Sequence, residues 1–313
     1  MKEIEAAFQS DVELRGTLAL PERNISEKHP AVLLLHGSGP LDRNENAKFA
    51  KMNVFKLLSD SLCENGFAVL RYDKRGVGES KGNFYEAGLF DFVSDAEAAF
   101  AFLKNHPKID SSRIFLLGHS EGCTIAVLLQ LRQKARGLIL LAGACESLKA
   151  TMMRQGEQAS RDVQMMGGWK GTFFRLLKIP EKIAKQQAEL MERIEGSSQA
   201  VIRVKGRKIP AKWLREHFQY NVFNDLPKIT CPVLAITGSK DVQVLPEHAR
   251  IFAENVSGVS EFHIIEDMNH ILRYQEEEGN MMTLKQTYKR LFKQPLDQRL
   301  IEHVVSWLNK TKK

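Results

Sequence analysis

Apolar residues recur along this chain in two alternating rhythms, short unbroken runs and helix-period stripes. Residues 11–21, DVELRGTLALP, alternate apolar and polar positions, the pattern of a half-buried antiparallel strand. Pro30 to His36 is an apolar run ending at Gly37-Ser38-Gly39-Pro40, which predicts a buried strand and a glycine turn. Over 48–65 the spacing of Phe49, Met52, Phe55, Leu57, Leu58 and Leu62 is helical, and Asn65-Gly66 supplies a stop. A strand over 66–72, a helix over 90–105, a strand over 114–117, a helix through 125–131 and a strand over 137–142 continue the series.

The rhythm then breaks. From 147 to 221 the one strand-like run is VIRV, set among helix-like segments that are basic and rich in Met. It resumes with a strand over 231–237, a helix over 246–255, a strand over 261–265 and a closing helix over 295–310. Strands alternating with helices predict an α/β fold, a mostly parallel sheet covered by helices on both faces. Because the rhythm stands on both sides of the interruption, residues 1–146 and 222–313 are expected to form one core domain and 147–221 an inserted helical cap.

Composition narrows this picture only slightly. A chain with 43% hydrophobic and 27% charged residues is an ordinary globular one. No apolar run approaches the roughly 18 residues of a membrane span. The stretch MKEIEAAFQSDVE lacks the basic and apolar regions of a signal peptide, so a cytoplasmic location is expected. Cys63, Cys123, Cys145 and Cys231 are scattered in or beside apolar runs, as buried thiols would be. The net charge of +7 would suit a nucleic-acid partner, but 147–221 holds 15 Lys and Arg against 7 Asp and Glu, a balance of +8. The remainder is near neutral. Basic residues interleaved with apolar ones at helical spacing describe solvated helix faces, and no nucleic-acid partner is expected. Nothing in the pattern sets the oligomeric state.

Two G-x-S-x-G matches occur, at Gly78-Glu79-Ser80-Lys81-Gly82 and at Gly118-His119-Ser120-Glu121-Gly122. Only the second runs from a strand directly into a helix, the context of a nucleophile elbow. Its glycines leave room for a tight turn, and its hydroxyl stands at a helix N-terminus that favours developing negative charge. Ser120 is the expected nucleophile and Ser80 a loop serine. A serine needs a base to take its proton and an acid to orient that base. Downstream, one strand ends in Gly238-Ser239-Lys240-Asp241 and the next is followed by Glu266-Asp267-Met268-Asn269-His270. Asp241 is the expected acid and His270 the expected base. Asp225 precedes its strand, Asp267 shares the histidine's loop, His248 and His303 fall in helix patterns, and His263 lies inside a strand.

An oxyanion needs two donors. One is the backbone N–H of Glu121; the other is expected from the His36-Gly37-Ser38-Gly39 loop, with Ser38 first and Gly39 second. His36 and His119 are expected to pack or hydrogen-bond, His119 turning its side chain away from the reacting side. Met152, Met153, Met165, Met166 and Trp169 are candidates for an apolar wall in the cap. No ligand spacing implies a metal or cofactor.

The segments HGSGPLDRN, RYDKRGVGES, GHSEG, TGSKD and MNH, in this order, resemble the α/β-hydrolase superfamily. They are most similar to bacterial serine esterases related to dienelactone hydrolases and prolyl-oligopeptidase-like domains. The resemblance covers about 1–145 and 222–313. It implies a carboxylic-ester hydrolase acting on a small-molecule ester through an acyl-enzyme, with Ser120, Asp241 and His270 as its triad. It also implies that Asp73 and Arg75 hold their own loop together. Cys123 is a small departure, where relatives often have another small residue, and beside the nucleophile helix it is expected to pack rather than act as a second nucleophile. A peptidase or a thioesterase could use the same triad, and a slow ligand-binding protein could keep the fold.

Overall fold

The apolar runs come together as one eight-stranded sheet. The computed structural model describes residues 1–22 and 28–312. Strands β1 (Lys2–Gln9) and β2 (Glu13–Leu20) are followed by β3 (His29–Leu35), α1 (Val54–Glu64), β4 (Ala68–Tyr72), α2 (Leu89–Asn105), β5 (Ile109–His119), α3 (Glu121–Arg132) and β6 (Gly137–Leu141). The next stretch holds α4 (Leu148–Met165), α5 (Gly168–Leu176), α6 (Ile179–Glu195), strands β7 (Val201–Val204) and β8 (Arg207–Pro210), and α7 (Ala211–Gln219). After it come β9 (Val233–Gly238), α8 (His248–Asn255), β10 (Ser260–Ile265), α9 (Leu284–Leu291) and α10 (Gln298–Thr311).

The sheet order is β1-β2-β4-β3-β5-β6-β9-β10. β2 pairs antiparallel with β1 and β4, and the remaining pairs are parallel. Alternate side chains of the central strands point to opposite faces. Leu33, Leu35, Leu116 and Leu140 pack with Phe92, Ala126 and Phe252 of α2, α3 and α8. Val32, Leu34, Phe115 and Ile139 pack with Leu58 of α1 and Trp307 of α10. Both faces are therefore covered, as the unbroken apolar runs require.

The stretch from α4 to α7 adds no strand to this sheet. Ile194, Ile202, Ala211 and Leu214 bury together in a small cluster of their own, with Leu148, Met152, Leu190 and Trp213 partly buried against it. On either side of the stretch, β6 and β9 pair directly, from Leu138 with Val233 to Leu141 with Ile236. Among the described residues no helix is long and apolar enough to cross a membrane.

Several elements depart from the sequence pattern for physical reasons. The helix expected from residue 48 begins at Val54, and Phe49 is 86% exposed. Asn46 makes two hydrogen bonds to Asn53, at 2.8 and 2.9 Å, and Asn53 takes the left-handed conformation just before α1. β1 escapes the pattern because only its Ala6 and Phe8 are buried. β8, with its Pro210, is a strand through its pairing with β7. α9 is only eight residues long, and of its Leu284, Tyr288 and Leu291 only Tyr288 is buried.

Candidate active site

β5 sits between β3 and β6, and its last residue hands the chain to Ser120. Ser120 has φ 55° and ψ −117°, a backbone state that a residue with a side chain rarely holds. Close packing maintains it. A Cβ on Gly118 would lie 2.2 Å from the Gly122 carbonyl oxygen, and one on Gly122 would lie 1.9 Å from that of Leu35. The Ser120 N–H donates to the Leu141 carbonyl at 2.9 Å, which ties the turn to β6.

The structure brings Ser120, Asp241 and His270 together. His270 Nε2 stands 3.1 Å from Ser120 Oγ, and its Nδ1 stands 2.7 Å from Asp241 Oδ2. Asp241 Oδ1 accepts the N–H groups of Gln243 and Val244 at 2.8 and 2.9 Å. A carboxylate so held can only accept, which places a proton on His270 Nδ1 and a lone pair on Nε2, facing the serine. All three residues follow the carboxyl ends of parallel strands, where ligand sites form in open α/β sheets. Asp267 lies elsewhere, its carboxylate 3.6 Å from Lys240. Asp225 is held by Tyr220 and Lys228. His248 accepts the Cys145 N–H through Nδ1 at 3.2 Å.

Two buried ion pairs frame the serine, and sequence spacing signalled neither. Lys74 Nζ donates to the Gly37 carbonyl at 2.7 Å and to Glu121 Oε2 at 3.0 Å. In a trans peptide the carbonyl and the following N–H point opposite ways, so Lys74 also aims the Ser38 N–H. As the first residue of α3, Glu121 has an N–H with no carbonyl a turn behind it. Ser38 lines the cavity beside Ser120, and Gly39 does not. Burial pushes the Glu121 carboxyl up, but Lys74, with His217 and Trp213, outweighs burial and leaves it low, at about 2. Trp213 donates to Glu121 Oε1 at 2.5 Å, while His217 Nε2, 3.1 Å from that oxygen, is off the hydrogen-bonding line. The second pair joins Glu45 and His119 at 2.9 Å. His119 does not turn away from the site as expected. Its ring lies under His270, with ring centroids 5.3 Å apart.

The cavity over Ser120 measures about 530 Å³, within the usual range for small-molecule sites. Its wall includes Leu148, Met152, Gln155, Trp213 and Leu214 from α4 and α7, and Gln243 and Tyr288 from the core. Of the five apolar candidates, Met152 alone is on this wall. Met153 lines a separate cleft between α4 and α6, with Met191 opposite. Met165 and Trp169 are 75% and 76% exposed, and they and Met166 do not line the cavity. Periodicity marks which residues are apolar but not which helix face meets the core. The inward face of α4 here is the one carrying Leu148, Thr151, Met152 and Gln155.

The other singled-out residues have structural surroundings. Ser80 Oγ donates to the Asp73 carbonyl at 2.7 Å and accepts the Arg15 N–H at 2.9 Å. Asp73 accepts the Arg43 N–H at 2.7 Å, and Arg75 holds Asp95 through bonds of 2.7 and 2.6 Å. Cys123 Sγ lies 3.2 Å from the Gly118 carbonyl oxygen, and burial pushes its thiol well up. His36 packs against Phe55 and Tyr72; burial and Lys74 bring it down to about 4. Among the described residues one group could converge on a metal ion, Glu261, His263 and His303, where β10 meets α10. None of the three lines the cavity.

The family described as serine aminopeptidase, S33 (Hydrolase_4) matches residues 27–277. The chain is 27% identical over 299 residues to Esterase EstD of Thermotoga maritima, covering 95% of this chain and 66% of that relative, just under two thirds of its length. Among solved structures it is similar to Est1E from Butyrivibrio proteoclasticus, with TM-score 0.61, 18% identity and 98% of each chain covered. It is also similar to the alpha/beta hydrolase GrgF from Penicillium sp. sh18, with TM-score 0.64, 17% identity, and 100% of this chain and 99% of that one covered. The fold is that of the α/β hydrolases.

Proposed function

The chain belongs to the serine aminopeptidase S33 family, and we propose that it is a serine esterase that cleaves carboxylic esters through an acyl-enzyme. The observation that carries this reading is the unbroken series of hydrogen bonds from Ser120 through His270 to Asp241. His270 Nε2 takes the hydroxyl proton as Ser120 Oγ attacks the ester carbonyl. The N–H groups of Glu121 and Ser38 receive the oxyanion, and His270 returns its proton to the leaving alcohol. A water molecule then repeats the sequence on the acyl-enzyme and frees the acid. Asp241 holds the tautomer and balances the imidazolium. Residues 147–221 act as the cap, giving the acyl pocket its wall through Met152, Leu148 and Trp213.

The test is turnover of p-nitrophenyl butyrate with and without a fluorophosphonate. Hydrolysis that the probe blocks supports the esterase. Labelling without turnover would point instead to a ligand-binding protein, and faster cleavage of matched amides or thioesters would move the assignment to a peptidase or thioesterase. Asp241→Asn is expected to lower kcat by about 10³-fold, because hydroxyl and base survive but the tautomer is lost. An unchanged rate in that variant would remove Asp241 from the relay.

The cap assignment has its own check. Met152→Ala is expected to shift preference from acetyl towards octanoyl esters by enlarging the wall beside Ser120. Met165→Ala and Trp169→Ala are expected to leave preference unchanged. A shift in either of the latter two, with none in Met152→Ala, would place the acyl site elsewhere.

A further inference from the structure

Three loops meet at Ser120, and two side chains outside the relay hold them together. Glu45 is 1% exposed and takes the left-handed conformation, φ 63°. Its Oε1 accepts the Gly37 N–H at 2.9 Å and faces His119 Nδ1, also at 2.9 Å. The other nitrogen of that ring, Nε2, lies 2.9 Å from the carbonyl oxygen of His270. One pair of side chains thus touches the oxyanion loop at Gly37, the elbow at His119 and the base through its backbone.

The protons follow from the partners. A carbonyl oxygen only accepts, so His119 Nε2 carries a hydrogen. With Nδ1 facing the carboxylate, a second hydrogen completes an imidazolium against Glu45. Burial alone would discharge both groups. Their mutual attraction outweighs it, holding Glu45 below and His119 above their ordinary values. His36 on the Glu45 side and Asp241 on the His119 side add to the same effect. A buried ion pair is often no more stabilising than apolar packing of equal size. This one also leaves Glu45 Oε2 with no hydrogen-bond partner among the described residues. Such an arrangement fits a role in placement better than a role in stability.

We infer that Glu45 and His119 are positioning residues, a buried clamp that holds the oxyanion loop, the elbow and the His270 loop at fixed separations. The inference rests on the esterase reading of Ser120, Asp241 and His270. Without the clamp the Ser38 N–H and the His270 ring are free to drift, and a displacement of about 1 Å can cost on the order of 10²-fold in rate.

The experiment compares Glu45→Gln, His119→Gln and His119→Asn with the parent on p-nitrophenyl butyrate, with Ser120→Ala as the reference. Glu45→Gln is expected to lower kcat by about 10- to 100-fold with KM held within about twofold. The amide nitrogen of glutamine reaches as far as Nε2, whereas that of asparagine reaches only as far as Nδ1. His119→Gln, which can still bond the His270 carbonyl, should therefore retain more activity than His119→Asn. The parent should lose rate at alkaline pH as His119 gives up its proton. In Glu45→Gln that limb should move to lower pH, since the carboxylate that holds the proton is gone. A Glu45→Gln enzyme with the parent's kcat and pH profile would overturn the clamp. So would equal losses in both His119 variants that merely track a fall in melting temperature. If Glu45→Gln does not fold, the two His119 variants carry the same contrast. Turnover that survives Ser120→Ala would sink the site reading and the clamp with it, whereas intact dependence on Ser120 beside an unaffected Glu45→Gln sinks the clamp alone.

Discussion

Replacing Ser120 by alanine is expected to lower kcat on a p-nitrophenyl ester by about 10⁴-fold or more, with the protein still folded. The change removes one oxygen whose partner is His270 Nε2, 3.1 Å away at the edge of a cavity that water can enter. The strained turn remains, because its geometry is imposed by Gly118, Gly122 and the bond from Ser120 N–H to Leu141. His270→Ala should cost a similar factor by removing the base. The control is Ser80→Ala, which fits the same five-residue motif. Its hydroxyl bridges the Asp73 carbonyl and the Arg15 N–H, so its loss should reduce stability by about 1 kcal/mol and leave kcat intact. Circular dichroism and steady-state kinetics on the three variants separate the cases. Activity that disappears with Ser80 and persists without Ser120 would reverse the assignment.

Gly122→Ala is expected to cost about 3 kcal/mol of stability, among the largest effects of any single methyl group in this chain. The added Cβ would stand 1.9 Å from the Leu35 carbonyl oxygen, 2.6 Å from its carbon and 3.0 Å from the His36 oxygen. All three are backbone atoms at the end of β3, so no side chain can swing aside. Relief must come from moving α3 away from β3, and that displaces the Glu121 N–H as well. Urea denaturation should show the lower midpoint, and kcat should fall even where the variant is folded. A midpoint equal to the parent's would mean that the elbow is looser than its contacts imply.

The sheet was legible in the sequence because parallel strands covered on both faces are unbroken apolar runs, as in Ala31 to Leu35 and Leu138 to Leu141. The positions of Ser120 and Asp241 were legible for a related reason, since each follows the end of such a run. His270 follows β10, an edge strand with only Ile265 buried, and was legible by its place after that strand, because parallel strands bring their carboxyl ends to one edge of the sheet. Glu45 and Lys74 were not. They sit in loops far from Ser120 in sequence, and no local period marks a loop residue whose partner lies on another element. The wall of the cavity was only partly legible. Met152 and Met153 are neighbours with the same chemistry, and only the packing of α4 on α7 decides that the first faces Ser120. The β1 strand was missed because an edge strand buries too few residues to write a pattern.

The direct pairing of β6 with β9 has a consequence for how this molecule assembles and how it can vary. Leu138 finds Val233 across the entire stretch from α4 to α7, so joining these strands closes the widest gap between neighbours in the sheet. Long-range closure of this kind slows folding, and β9 and β10 are expected to dock late, after the strands before them have zipped. The equilibrium cost behaves differently. Loop closure rises only as the logarithm of loop length, about 0.6 kcal/mol for each doubling. Segments of very different size could be spliced between the same two strands at little thermodynamic expense. Lineages could therefore exchange the part that walls the cavity over Ser120 while the strands that lead to Ser120, Asp241 and His270 keep their register.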